Sequence, residues 1–160
     1  MEKIKTIYID TREQVFSHIS NVFIEKKLSI KKEKLDFGDY TFQTECKEFK
    51  KDYRNIVVVE RKASLDELAN NFTKHRETFK KEFIRANEAG AKVFLLIEDS
   101  TIQMIRNHHY RSQFHPNAFI GSLNSWHYKY NIDIYFCKSK YTATAILRIF
   151  NKFILDKIDS

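Results

Sequence analysis

The chain has 160 residues, 42% of them hydrophobic, and carries 28 Lys and Arg against 21 Asp and Glu, for a net charge of +7 and a pI near 9.3. That length suits one ordinary domain with a real core, and its 3 glycines and 1 proline leave little room for long disordered linkers. MEKIKTIYID is too charged and too short for a signal peptide, no apolar run approaches a membrane span, and Cys46 and Cys137 carry no CxxC or disulfide framework, so a soluble, reduced, cytoplasmic chain is expected. A basic balance favours a polyanionic partner, because neutralised phosphates release condensed counterions. The competing reading is a basic solvated surface.

In chain order, Ile4 to Ile9 is β-branched and aromatic and predicts a strand ending at Asp10. Gln14 to Lys26 places Val15, Ile19, Val22 and Phe23 at helical spacing. Leu28 to Leu35 predicts a short strand, and Gly38-Asp39 a turn. Tyr40 to Thr44 and Ile56 to Val59 predict two more strands, joined by KEFKKDYRN as a solvated hairpin loop. Ser64 caps a helix, with Glu67 completing a capping box. Phe72, Phe79, Phe83 and Ala86 form its apolar stripe, and Gly90 ends it. Val93 to Ile97 is a buried-type strand ending in Glu98-Asp99. A loop around His108 to Pro116, a helix near Asn117 to Tyr128, a strand at Ile132 to Cys137 and a long helix from Tyr141 to Ile158 complete the chain. Strands alternating with helices imply an α/β domain with a mixed central sheet flanked by helices. The early strands are expected to form an antiparallel meander and the later ones a parallel set.

Charged residues collect at the strand ends. Asp10 closes the first strand and Asp39 opens the third. Glu60 and Lys62 follow the apolar run IVVV and, two residues apart, leave the same strand face. Singly, these residues fit an ordinary charged strand exit and a turn. Together they place two carboxylates where a hairpin can bring them into contact. Such a pair can hold Mg²⁺, which prefers oxygen ligands and keeps several waters. The metal can polarise a phosphate oxygen and activate a water. Lys62 can position that water and offset transition-state charge.

Gly38-Asp39, Glu60-Arg61-Lys62 and then Asp66 resemble the GD…ERKxxxD signature of the XPF-type structure-specific endonucleases, within the PD-(D/E)xK superfamily. IYIDTREQ, Arg76 in HRETFKKEF, FLLIED, and AFIGSLNSWHYKYNIDIYF with YTATAILRIF extend the resemblance along nearly the whole chain. It implies a restriction-endonuclease-like fold and a Mg²⁺- or Mn²⁺-dependent DNA endonuclease acting on branched or flap DNA in repair, recombination or replication. Asp39, Glu60 and the carbonyl of Arg61 would ligate the metal, and Lys62 would orient the water. Asp10 would complete the acidic cluster, while Arg12, Glu13, Arg61, Asp66 and Arg76 would support it. Long family members add a tandem helix-hairpin-helix module or a helicase. Neither is expected here, so residues 1–160 are expected to be a stand-alone domain of a bacterial or viral kind, with a separate targeting protein among its expected partners.

Lys74, Arg76, Lys80, Lys81 and Arg85 are candidate phosphate contacts on the basic helix, although a solvated face would look the same. His108, His109 and His115 have no Cys nearby, so NHHYRSQFHP reads as a polar DNA-facing or solvent loop rather than a zinc site. The phenylalanines at helical spacing, Phe72, Phe79, Phe83, Phe150 and Phe153, are expected in the core rather than stacked on bases. The last helix is apolar over more than one face and, with the resemblance, suggests a homodimer through residues after about Asn117. The alternatives are a non-catalytic DNA-binding or scaffolding subunit, which typically loses the acidic motif kept here, and a junction resolvase with the same chemistry.

Overall fold

The computed structural model describes residues 3–45 and 50–158. Among these residues seven strands form one sheet: β1 (Lys3–Asp10), β2 (Ser29–Glu33), β3 (Tyr40–Glu45), β4 (Lys50–Asp52), β5 (Val57–Lys62), β6 (Lys92–Glu98) and β7 (Ile132–Cys137). The helices are α1 (Ser17–Glu25), α2 (Leu65–Phe72), α3 (Arg76–Glu88), α4 (Ile102–Arg106), α5 (Pro116–Tyr130) and α6 (Thr142–Ile158). The order across the sheet is β2-β1-β3-β5-β6-β7, and β4 pairs with the far half of β3. β1 and β2 are parallel, as are β5, β6 and β7, whereas β3 is antiparallel to both β1 and β5. This is the mixed α/β architecture that the alternating pattern predicts.

The period of two along each strand divides the core into two layers. Val58, Val93, Leu95 and Ile97 pack beneath α2, α3 and α5, against Phe72, Phe79, Phe83, Phe119 and Trp126. Val57, Val59, Phe94 and Leu96 face the other way, against Ile19 and Phe23 of α1 and Ile146, Ile149 and Phe150 of α6. The phenylalanines at helical spacing therefore serve the core, Phe153 as a partly buried neighbour of it. Among the described residues no helix is long and apolar enough to cross a membrane.

Four local expectations are corrected. The early strands are not a simple meander, because α1 makes a crossover that lays β2 parallel to β1. Val15 is not on the helix: α1 begins at Ser17, and Val15 is 84% exposed at φ 44°. KEFKKDYRN is not wholly loop. Residues 47–49, like Cys46, lie outside the described residues, but Lys50–Asp52 pairs with β3, and Tyr53 is buried with its ring stacked on Phe42 at 4.4 Å. The helix capped by Ser64 is two helices. The Thr73 hydroxyl bonds the carbonyl of Ala69 at 2.8 Å, and its backbone (φ −116°, ψ −86°) leaves the helical path, so the chain re-enters a helix at Arg76.

The caps follow the sequence more closely. The Ser64 hydroxyl accepts the N–H of Glu67, while the Glu67 carboxylate reaches back to Ala63 rather than to Ser64 itself. Gly90 adopts φ 73° after α3, with Ala91 N–H bonding the carbonyl of Ala86 and Gly90 N–H that of Asn87, the paired bonds of a Schellman motif.

Gly38 sits two residues before β3 at φ 76°, and a Cβ there would lie 2.6 Å from Val58 Cβ. A side chain at this position would meet both backbone strain and a fixed core neighbour. Gly38→Ala should therefore destabilise the fold by about 2–4 kcal/mol, combining left-handed strain with overpacking. Urea unfolding followed by circular dichroism tests this, and a change below about 0.5 kcal/mol would contradict it.

Candidate active site

Because β3 is reversed, its beginning lies beside the ends of β1 and β5. Asp39 is fastened there by its backbone: Asp10 N–H donates to the Asp39 carbonyl and Asp39 N–H donates to the Val59 carbonyl, each at 2.8 Å. One carboxylate oxygen, Oδ2, then accepts the Arg61 N–H at 2.7 Å. The apolar anchor of β5 carries Glu60 and Lys62 onto the same face as Val58, toward α2 and α3. Lys62 Nζ lies 3.0 Å from Glu60 Oε1 and 4.9 Å from the centre of the Phe79 ring. Both side chains are less than one-tenth exposed.

Burial dominates the electrostatics of the pair. Desolvation, followed by the charges of Glu60 and Glu13, pushes the Asp39 carboxyl well above the usual range. Desolvation likewise pushes Glu60 up to about 7, against the pull of Lys62 and with the help of Glu82. Burial disfavours the charged form of Lys62, but Glu60 and Asp39 outweigh it and raise its pKa. Among the described residues, Asp39 Oδ1 and Glu60 Oε2 receive no hydrogen bond. No three His, Cys, Asp or Glu side chains among them converge as a metal site. The side chains present therefore offer two carboxylates, which fit a hard, partly hydrated cation better than zinc.

Arg61 points through the opposite face. Its guanidinium bonds Glu13 at 2.9 Å twice, the Gln14 carbonyl at 3.0 Å, and Glu98. Glu98 also accepts from Thr142 at 2.6 Å and meets His18 at 2.7 Å. This buried network ties β5 and β6 to α1 and α6. Burial works against the charged form of Glu98, but bonds from Thr142, His18 and Arg61 hold its pKa below the ordinary glutamate value.

The other expected residues are distributed unevenly. Asp10 reaches the site through its backbone, while its carboxylate turns to Arg12 (2.7 Å) and the Leu35 N–H (2.8 Å). Asp66 bonds the backbone N–H of Arg111 at 2.6 Å. Arg76 is packed over Trp126 and bonds the Phe72 carbonyl and the Ser122 hydroxyl. Arg85 bonds the Asp36 carbonyl. Lys74 and Lys81 are exposed, and Lys80 is half-buried.

Sequence reasoning missed Glu82, whose carboxylate accepts the Gly38 N–H at 2.9 Å. The available signal was an acidic residue beside the Phe79–Phe83 stripe of a helix otherwise rich in basic residues. His18 and Thr142 were also missed, and no local pattern marked them.

A family model, the ERCC4 domain, matches residues 9–150. The chain belongs to the ERCC4-domain family. No curated protein matches it significantly. Among solved structures, the domain resembles XPF from Aeropyrum pernix, with 20% identity and a TM-score of 0.65 over 91% of this chain and 64% of that one. It also resembles that protein in complex with DNA, with 19% identity and a TM-score of 0.67 over 95% and 66% of the two chains. This chain thus spans a little under two thirds of the length of those relatives, and the likeness establishes the ERCC4-domain fold.

Removing the Arg61 guanidinium would strand two buried carboxylates. Arg61→Met should cost about 3–5 kcal/mol in urea unfolding at neutral pH. Glu98 has a depressed folded pKa, so its contribution is present above the ordinary value of 4.5 and is lost as pH falls through the depressed one. The Arg61→Met penalty should therefore shrink in acid. A penalty that is pH-independent from neutral to acid would contradict the network.

Proposed function

We propose that this ERCC4 domain is a divalent-metal-dependent DNA endonuclease, using Mg²⁺ or Mn²⁺ to hydrolyse phosphodiester bonds at branched or flap DNA during repair, recombination or replication. The reading rests most on one observation: Asp39 and Glu60 converge at adjacent strand ends, each with a carboxylate oxygen left without a hydrogen bond among the described residues, and Lys62 stands beside them. The binding of DNA by XPF from Aeropyrum pernix supports the substrate class.

Asp39, Glu60 and the Arg61 carbonyl would hold the cation. Once bound, it would polarise a phosphate oxygen and lower the pKa of a water. The chain's own residues do the rest. The Lys62 ammonium, kept charged by Glu60 and Asp39, donates to the attacking water and offsets negative charge as the phosphorus becomes five-coordinate. Phe79 beneath Lys62 limits the positions that its ammonium can take. Arg12 neutralises Asp10, which keeps one more buried carboxylate from repelling the phosphate. Lys74, Lys80 and Lys81 supply phosphate contacts from α2–α3, weakly dependent on sequence.

The same reading includes a homodimer. A groove of about 1120 Å³ lies between the edge strand β7 and α6, and Tyr135, Tyr141 and Leu155 are exposed along it. An apolar groove beside an unpaired edge fits a second copy of this surface.

Cleavage of fluorescent flap, fork and duplex DNAs with Mg²⁺ or Mn²⁺ tests the proposal. Asp39→Asn and Glu60→Gln should each lower the rate by at least about 10³-fold, or about 4 kcal/mol, while DNA binding persists. Cutting that survives excess EDTA, or a variant at near wild-type rate, would sink it.

A further inference from the structure

Asp66 belongs to the motif by position, yet it stands apart from the acidic pair. It is the second residue of α2, four residues after Lys62, and its Oδ1 accepts the backbone N–H of Arg111 at 2.6 Å. That bond spans 45 residues and reaches the tip of the segment between α4 and α5. The segment is held from within as well. The Tyr110 hydroxyl donates to the Phe114 carbonyl at 2.6 Å, His108 Nε2 meets the Ser112 carbonyl at 2.7 Å, and His108 stacks on Tyr110 at 4.3 Å. Tyr110 and Phe114 both pack on Phe119, which fixes the segment to the layer beneath α2 and α3. This is the face on which Glu60 and Lys62 project.

The segment has the charge pattern of a polyanion contact. No Asp or Glu occurs between Asp99 and Asp133, a stretch that contains Arg106, Arg111, Lys129 and His108, His109, His115 and His127 out of 6 histidines in the chain. Arg111 is exposed, and its guanidinium has no carboxylate partner among the described residues. Its backbone is thus immobilised while its charge is left unmatched. α2 links its backbone to the site: Asp66 holds the Arg111 N–H, and the next residue, Glu67, comes within 3.9 Å of Lys62. A cation held beside a phosphodiester-binding face would serve to touch a phosphate away from the scissile one.

We propose that Asp66 is a positioning residue: it clamps the loop from Asn107 to Pro116 so that Arg111 contacts a backbone phosphate of the bound DNA. This rests on the nuclease reading above and gives Asp66 a role in substrate grip rather than in metal binding. The geometry predicts that the amide-accepting oxygen of residue 66 matters, not its charge.

The test compares wild type, Asp66→Ala, Asp66→Asn, Arg111→Ala and the Asp66→Ala/Arg111→Ala double variant. Each is assayed for kcat and KM on the flap DNA with Mn²⁺, and for Kd by fluorescence anisotropy of the same DNA across a salt series, with folding checked by circular dichroism. Asp66→Ala and Arg111→Ala should each raise KM and Kd about tenfold with kcat changed less than about threefold, and Arg111→Ala should flatten the salt slope by about one unit. Asp66→Asn keeps an oxygen for the same N–H and should recover most of the loss. The double variant should bind no worse than Arg111→Ala, because Asp66 acts through Arg111. A collapse of kcat in Asp66→Asn would overturn the proposal, as would additive losses in the double variant or an Arg111→Ala protein with wild-type Kd and salt slope. These outcomes are read from variants relative to wild type. Failure of the nuclease reading would instead appear as a wild type that does not cut.

Discussion

Asp39 is fastened at three points, and the rest of the site follows from them. Its carbonyl accepts from Asp10, its N–H donates to Val59, and its carboxylate accepts from the Arg61 N–H. Those bonds exist because β3 runs against its neighbours β1 and β5. A reversed strand puts its first residue at the ends of the strands that flank it. Gly38 makes the entry possible, since its left-handed backbone lies too close to Val58 for any Cβ, and Glu82 caps its N–H from α3. The result is two carboxylates pressed together in a partly desolvated place. Burial pushes both toward the protonated form, with Glu60 and Glu13 adding to the effect at Asp39 and Glu82 and Glu13 at Glu60.

The alternation along β5 divides the work between the two faces of the sheet. Glu60 and Lys62 face α2 and α3, where substrate chemistry would occur. Arg61, between them, faces α1 and α6 and is consumed in a buried network with Glu13 and Glu98. One short motif thus carries both the proposed reactive pair and the brace that holds its strand. The brace is expensive to break, because either partner alone would leave a desolvated charge. It also joins the site strand to α6, the helix that borders the apolar groove through Thr142 at its start.

Asp39, Glu60 and Lys62 were legible in the sequence because their placement needs only strand periodicity and an apolar anchor. Val57 to Val59 fix β5 in the core, and the residues after them must emerge at its end. The contacts made across the fold were not legible. The bond from Asp66 to Arg111 depends on how α2 meets a distant loop, and Glu82 depends on the rotation of α3 over Gly38. β2 is legible as a strand, but its parallel pairing follows from the α1 crossover, which strand periodicity does not reveal. Tyr53 was hidden in a charged run, although one aromatic ring outweighs several lysines when it can stack on Phe42. Val15 continued an apolar stripe on paper, but Arg61 draws the carbonyls of Gln14 and Val15 inward and the helix starts later.

The central claim is that the reversed strand brings Asp39 and Glu60 together to share one divalent cation. Calorimetric titration of Mn²⁺ into the DNA-free protein measures this without reference to cleavage. The account predicts binding by wild type that weakens at least about tenfold in both Asp39→Asn and Glu60→Gln. The metal-free melting temperature of Asp39→Asn should be equal to or above that of wild type, since one of two crowded carboxylates is gone while Glu60 still pairs with Lys62. Wild-type Mn²⁺ affinity in both variants would contradict the account.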